Sequence, residues 1–471
     1  MAKYRCIVCE FIYDEEKSDS LWVDIPETWV CPVCESPKKL YEKVEEIADP
    51  GEVSAPSDEA MPDNGPDASV LRTSDDIETY MADIHQMAET GESIMEPMRT
   101  RKPTFSWDEL LIKGAQLAKL PLNKDEDVVT QTVIGPGAEK PLVVQTPVYI
   151  AHMSFGALSP EAKTALAKGS SAVRTAMCSG EGGILPSSID NSHKYIFEYI
   201  PNQYSVTKEN LKRVDAIEIK FGQSAKPGMG GHLPGKKVTR EIAEIRGFKP
   251  GESITSPSRF EDIRDREDLK KKIDWLRKMS EGRPIGVKFA AGNIEADLEM
   301  AIYARTDFVT IDGRAGATGA APKFVKASTS VPTIFALYRA RKFLDENGAE
   351  NVSLIITGGF RVSADIAKAL ALGSDAVAIG TAALMAIGCQ QYKICDTGKC
   401  PMGIATQDPT LRANLNVDKA ARRLENFLNV TTNELKDFAR LTGNNSLHGL
   451  SVSDLCTVNS EISNYTTVEH V

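Results

Sequence analysis

The feature that most constrains this chain is a series of short, unbroken apolar runs: PVYIAHM at 147–153, AIEIK at 216–220, IGVKF at 285–289, FVTID at 308–312, SLIITGG at 353–359 and DAVAIGT at 375–381. A strand with one face in water alternates apolar and polar residues. A run that is apolar throughout suits a parallel strand buried on both faces. Helical segments lie between the runs. Ser159-Pro160-Glu161 opens one in N-cap and N1 fashion, and Asn293-Ile294-Glu295 opens another. Glycine closes several runs (TIDG, ITGG, AIGT), as short βα units require. The pattern predicts an α/β fold, a (β/α)8 TIM barrel over residues 147–407, with a doubly wound open sheet as the alternative. The stretch 369–388 mimics a membrane span, but Ser374 and Asp375 break it, and it reads as helix, buried strand, turn and helix.

The rest of the chain divides by composition. Residues 1–46 hold Tyr4, Phe11, Tyr13, Trp22 and Trp29, too little for an apolar core without a staple such as a metal. Residues 47–76 are rich in Pro, Ala, Ser, Asp and Glu, which predicts a flexible acidic linker. Residues 77–146 read as a helical lead-in to the barrel, and 408–471 as a helical, polar C-terminal extension. The net charge of −11 disfavours nucleic acid as a partner. The opening MAKYRC has no apolar core of a signal peptide, and nine cysteines, an odd number, argue against a disulfide framework. Together these predict a cytoplasmic protein with metal-bound thiolates and no membrane partner.

Cys6, Cys9, Cys31 and Cys34 form two CxxC knuckles, with 21 residues between Cys9 and Cys31. Two such knuckles supply a tetrahedral four-sulfur site for iron or zinc. Gly358-Gly359 and Gly380-Thr381 end consecutive strands. Backbone N–H groups at such turns suit a phosphate dianion, although glycine there is also ordinary turn chemistry. Directly afterwards, Cys389, Cys395 and Cys400 offer three thiolates with no fourth nearby, which suits a three-ligand iron-sulfur cluster better than zinc. Among single residues, Cys178 reads as a buried small hydrophobe and Cys456 as incidental in a polar tail. His152 stands beside the first strand, His193 and His232 are placed near the barrel mouth, and Asp312 and Arg314 line the pocket or pair in a salt bridge.

Two resemblances follow from these motifs. YRCIVCEFIYD and PETWVCPVCESPK resemble rubredoxin, which implies one iron held by four thiolates and one-electron transfer. Glu10 and Glu35 stand where that family usually has glycine after each knuckle, so structural zinc stays open. HMSFGALSPEAKTAL, CSGEGG, EIKFGQSAKPGMGGHLPGKKV, IDGRAGATGAAPK and the triple-cysteine run resemble the glutamate synthase family, in order, over roughly 80–440. That resemblance implies an oxidoreductase acting on CH–NH2 donors, with FMN and a 3Fe-4S cluster, forming glutamate from 2-oxoglutarate by reductive amination. It places the cluster on Cys389, Cys395 and Cys400, and the FMN phosphate on Gly358, Gly359, Gly380 and Thr381. Ser154 and Gly156 fall against the flavin ring, and Lys288 supplies positive charge near it. Lys220, Gln223 and Lys226, with Glu181, face the oxo acid, Lys220 and Glu181 being catalytic. The resemblance further implies ammonia from solution or from a separate amidotransferase subunit, and electrons from a ferredoxin- or NAD(P)H-linked subunit. Ala315 and Ala317 depart from the family pattern. The alternatives are a related FMN-dependent amine or N-methylglutamate dehydrogenase or synthase, and a non-catalytic protein binding zinc and an oxo acid.

Overall fold

A computed structural model of the chain describes residues 2–8, 11–18, 20–33, 36–43, 72 and 74–471. Cys9, Cys34, Glu10, Glu35 and most of the expected linker lie outside the described residues. The chain forms two compact units, residues 1–95 and 96–471.

In the first unit, Lys3–Cys6 pairs antiparallel with Ile12–Asp14 on one side and Tyr41–Lys43 on the other. Aromatic rings stand in for an aliphatic core: Tyr4 stacks on Trp22 with centroids 4.6 Å apart, and Trp22 meets Trp29 edge-on at 5.6 Å. Cys6 and Cys31 are both fully buried. The Cys6 N–H donates to Phe11 O and the Cys31 N–H to Ser36 O, each at 2.8 Å, so each first cysteine opens a tight turn. Met81–Thr90 is helical and ends on Gly91 in the left-handed region.

The second unit is built on a closed barrel of parallel strands. They are β1 (Val148–Ile150), β2 (Ala176–Cys178), β3 (Lys194–Tyr199), β4 (Ala216–Lys220), β5 (Ile285–Ala290), β6 (Phe308–Asp312), β7 (Ser353–Thr357) and β8 (Ala376–Ile379). Each strand pairs with the next, and β8 returns to β1. Closure excludes the open-sheet alternative. Side chains alternate, so Ile217, Ile219, Val287 and Phe289 face the helices while Ala216, Ile196, Phe308 and Ile355 fill the interior. Gly286 shows why one position in the IGVKF run must be bare: a Cβ there would sit 2.2 Å from the Phe308 ring.

The expected lead-in is mostly irregular chain and short strands, because glycine and proline interrupt its periodicity. Its strands Thr132–Ile134 and Leu142–Val144 form a hairpin whose Ile134, Leu142 and Val144 pack among the interior residues of the barrel. The Gly135 N–H at the hairpin turn donates to Ser353 Oγ at the start of β7, which places the plug at the N-terminal end. Ser159 caps α1 (Pro160–Ala172) as expected, accepting from the Ala162 N–H at 3.1 Å. Asn293 precedes the helix Ile294–Tyr303 but makes no side-chain cap. Residues 363–387 form α2 (Ser363–Ala371), β8 and α3 (Thr381–Ile387), matching the sequence reading. Beyond 408, α4 (Val417–Leu441) packs along α1 and α2, and Leu455–Thr457 pairs with Leu110–Ile112. This segment is therefore part of the barrel's outer wall, and Cys456 is buried in it rather than loose in a tail. Among the described residues, no helix is long and apolar enough to cross a membrane.

Candidate active site and thiol-lined cavity

The C-terminal rim of the barrel collects charge. Lys220, the last residue of β4, points to Glu181 in the CSGEGG turn after β2, and the two make a close ion pair. Lys226 is only 8% exposed, and its ammonium reaches Gly230 O at 3.3 Å. Burial opposes charge on Glu181, but the Lys220 and Lys226 ammoniums overcome it and hold the carboxyl at about 2. Burial also works against charge on Lys220, and Glu181 pushes it back above its ordinary value. Lys226 has no such contact, and burial lowers it. The mouth thus holds two lysines sharing one carboxylate.

The segment after β4 is tied down at several points. Ser224 donates from Oγ to Asp312 Oδ1 and from N–H to Asp312 Oδ2, both at 2.9 Å, at the end of β6. Gln223 Nε2 donates to Thr318 Oγ1 at 3.2 Å. Gly231 lies against Glu181, where a Cβ would come 2.4 Å from Oε1. Arg246 reaches Phe155 O at 2.6 Å, keeps an unpartnered buried Nε and adds to the positive field at Glu181. The CSGEGG turn in turn lies on the SFG loop. A Cβ on Gly180 would be 2.4 Å from Ser154 N, and one on Gly182 would be 2.5 Å from Phe155 O. Ser154, Gly156, Glu181, Lys220, Gln223 and Lys226 are therefore brought together.

Deeper in the barrel lies a polar layer that the apolar strand pattern hid: Glu198 on β3, Glu218 on β4, Lys288 on β5 and Thr310 on β6. The Lys288 ammonium is 3.4 Å from Glu198 Oε1, and Thr310 donates to Glu218. Burial opposes charge on Lys288, but Glu198 and Glu218 raise it above its usual range, so a cation is locked beneath the mouth. His152 accepts the Gly180 N–H on Nδ1 at 3.1 Å and turns Nε2 toward Glu218 Oε2, 3.1 Å away but poorly angled. Among the described residues, His152, Glu198 and Glu218 are also the one set of three metal-type ligands within 4.8 Å of one another. With Lys288 and Thr310 already on those carboxylates, they form an ion network. Lys163, buried under the mouth, donates to Met153 O, Cys178 O and Ser179 O, and burial brings it down to about 7. Only the mid-run charges of AIEIK and IGVKF could have signalled this layer.

Other expectations resolve differently. Cys178 is buried in the barrel interior, and burial raises its thiol, as a small core residue. His193 immediately precedes β3 and so lies at the N-terminal end, away from the mouth. His232 is exposed in a two-residue strand beyond the mouth. Among the described residues Asp312 makes no salt bridge but anchors Ser224, and Arg314 braces Thr329 O and Ala327 O.

After β7, Gly358 and Gly359 take φ of 108° and 105°. A Cβ on Gly358 would strike Gly313 O at 2.5 Å, so the turn must be bare. Gly380 opens α3, and Thr381 is its first residue. Arg361 follows the glycines; burial and the neighbouring Arg99 both disfavour its charge, and Asp365 only partly offsets them. Arg361 donates from Nη1 to Phe360 O at 2.9 Å, so one guanidinium stands beside the bare turn, an arrangement that fits a phosphate dianion. Sequence reading missed Arg361, although it stands in the same GGFR run.

Cys389, Cys395 and Cys400 line one small cavity with Met98, Ile394 and Met402. Gln391 directs its N–H and Nε2 at Cys389 Sγ, at 3.4 and 3.2 Å, and Lys237 donates to Cys395 O at 2.8 Å. Burial and then the other two thiols push Cys395 up to about 12, so three thiolates here need a compensating cation.

Fold and rim together define a (β/α)8 barrel with a charged cluster at its C-terminal face, where enzymes of this architecture carry their sites. A family model described as the conserved region in glutamate synthase matches residues 78–445, and the rubredoxin model matches 3–41. The glutamate synthase large subunit-like protein of Rhizobium meliloti is 38% identical over 401 residues, covering 81% of this chain and 91% of that one. The archaeal glutamate synthase [NADPH] of Methanocaldococcus jannaschii is 39% identical over 370 residues, covering 76% and 70%. Among solved structures, a lactate oxidase from Pediococcus acidilactici shares the fold at 16% identity, with TM-score 0.50 over 75% of this chain and 84% of that one. The chain belongs to the glutamate synthase family of oxidoreductases and carries a rubredoxin domain at its front.

Proposed function

We propose that this chain reductively aminates 2-oxoglutarate to L-glutamate. The observation that carries the reading is the pair of lysines at the barrel rim, Lys226 buried and the Lys220 side chain 10% exposed, that share the single carboxylate of Glu181. Lys220 stays paired with Glu181 while Lys226 has no carboxylate contact of its own and Arg246 adds to the same field, so the rim carries a net positive charge that suits the carboxylates of an oxo acid. In this reading Lys220 and Lys226 bind the oxo acid's carboxylates and Gln223 donates an amide N–H. Glu181 keeps Lys220 protonated and aimed, and Lys220 Nζ supplies the proton when the C2 oxygen leaves as water during condensation with ammonia. The Asp312–Ser224 anchor fixes the loop that carries Gln223 and Lys226.

FMN held by Ser154, Gly156, Gly358, Gly359, Gly380 and Thr381 would supply hydride transfer. A 3Fe-4S cluster on Cys389, Cys395 and Cys400, and iron on Cys6, Cys9, Cys31 and Cys34, would supply single electrons. Lys288, held charged by Glu198 and Glu218, would supply fixed positive charge near that flavin. Ammonia comes from solution or a separate amidotransferase, electrons come from a ferredoxin- or NAD(P)H-linked subunit, and the protein works in the cytoplasm. The test is an anaerobic preparation assayed for flavin, iron, sulfide and zinc, followed by reoxidation of its reduced flavin by 2-oxoglutarate. Ammonium should accelerate reoxidation at least tenfold. Reoxidation indifferent to ammonium, or a colourless zinc protein, removes the reading.

A further inference from the structure

The loop that follows β4 runs from the rim to the thiol-lined cavity. It carries Gln223 and Lys226 at its start, passes Glu181 at Gly231, and ends in a single tight turn, Gly235–Lys237, ahead of the helix Arg240–Arg246. That turn is pinned. The Gly235 N–H donates to Ser253 Oγ and the Lys237 N–H to Pro234 O, both at 2.9 Å. A Cβ on Gly235 would fall 2.2 Å from Gly251 O. The two adjacent lysines of the turn part company there: Lys236 is exposed, whereas Lys237 is only 7% exposed.

Lys237 goes inward to the cysteine run. Its ammonium donates to Cys395 O at 2.8 Å, and its stem lies on Gly398, where a Cβ would come 3.0 Å from the Lys237 Cε. A neutral carbonyl does not balance an ammonium taken out of water. The negative groups that act on it are Asp396 and the Cys395 sulfur. The same two charged side chains act on that sulfur in opposite senses, Lys237 favouring the thiolate and Asp396 disfavouring it. A buried cation is therefore fixed where the thiolates of the cavity concentrate negative charge.

We infer that Lys237 sets the reduction potential of the cluster that Cys389, Cys395 and Cys400 would hold, keeping it reducible by a one-electron donor of the ferredoxin class; the inference rests on the cluster reading proposed above. On reduction the cluster takes one electron from the donor and gains one unit of negative charge, and no bond forms or breaks. A fixed, buried cation beside the ligands stabilises the reduced form more than the oxidised one and so raises the potential. Asp396 works the other way. Lys236 carries the same charge as Lys237 but sits in water, which screens it. Lys237 acts through its field and through the Cys395 backbone, so it is a positioning residue rather than a catalytic one.

The test is a dithionite titration of the full-length holoprotein with redox mediators, followed by low-temperature EPR of the barrel cluster, with iron and sulfide measured for every variant. Lys237→Met should shift the equilibrium at least tenfold toward the oxidised cluster, a fall of about 59 mV for one electron. Lys237→Arg should restore most of the parent potential. Lys236→Met, the same formal change of charge, should move it far less. Asp396→Asn leaves Lys237 in place and should raise the potential; it decides the matter if Lys237→Met sheds the cluster. Unchanged potentials in Lys237→Met and Asp396→Asn overturn the inference, as does a shift in Lys236→Met equal to that in Lys237→Met. A parent protein with no sulfide and no cluster signal removes the cluster reading and this inference with it, so the two failures are distinguishable.

Discussion

Replacing Glu181 with glutamine isolates the electrostatic core of the rim. The carboxyl is held at about 2 against an ordinary 4.5 because Lys220 and Lys226 outweigh its burial. At about 1.4 kcal/mol per pH unit, that gap corresponds to about 3 kcal/mol of folding stability at neutral pH. The sign follows from the depressed value. The contribution is fully present above pH 4.5 and is lost as pH falls from there toward 2. Glutamine keeps the shape and removes the charge, leaving two largely buried ammoniums without a counter-ion, a costly arrangement. The variant should unfold at a lower denaturant midpoint at pH 7 and show a flatter pH dependence between 4.5 and 2. Glutarate, a dicarboxylate that cannot react, should restore the midpoint, and should stabilise the variant more than the parent because it meets both lysines unopposed. The assay is denaturant unfolding followed by circular dichroism, with and without glutarate. An unchanged midpoint at pH 7 together with an unchanged acid slope would refute the reasoning.

Three further outcomes are expected. Cys395→Ser should remove sulfide and the iron bound near the barrel while the N-terminal iron remains, read by metal analysis and EPR; loss of both signals together would contradict two separate sites. Gly358→Ala adds a Cβ 2.5 Å from Gly313 O at a φ of 108°, and should cost about 1–3 kcal/mol and lower flavin retention, measured by unfolding and by flavin content after gel filtration. Ser159→Ala removes a buried hydroxyl that caps α1 and donates to Gly403 O at 2.6 Å beyond the thiol cavity, and should lower stability by about 2 kcal/mol in the same unfolding assay.

The barrel was legible because burial on both faces leaves a plain signature, an apolar run with no alternation, and because Ser159 and the strand-end glycines punctuate it. The candidate site was legible from residue pattern where rare residues stand close together, in the cysteine triplet and the glycine turns, whereas the lysines of AIEIK and the loop after it were singled out only by the family resemblance. What stayed hidden was encoded by partners far apart in the chain. Nothing in the sequence marks the partners of Glu198 and Glu218, because only closure of the barrel sets Lys288 and His152 against them. His193 was misplaced because a histidine beside a strand carries no mark of which end it occupies, and only chain direction in the barrel decides that. The segment beyond 408 looked detachable because α4 is amphipathic and polar outside. Its buried stripe, which includes Leu424, Leu428 and Leu435, declares a partner but does not say that α1 and α2 are that partner.

The central claim is that this rim joins nitrogen to a bound oxo acid at the expense of electrons stored in the same chain. It is tested most directly by a single turnover: anaerobically reduced holoprotein mixed with 2-oxoglutarate and ¹⁵N-ammonium, quenched and read by mass spectrometry. The account predicts ¹⁵N-labelled L-glutamate in an amount stoichiometric with the flavin oxidised, and none from a Lys220→Met variant. Flavin that stays reduced with no labelled glutamate formed, or labelled glutamate undiminished in Lys220→Met, would contradict it.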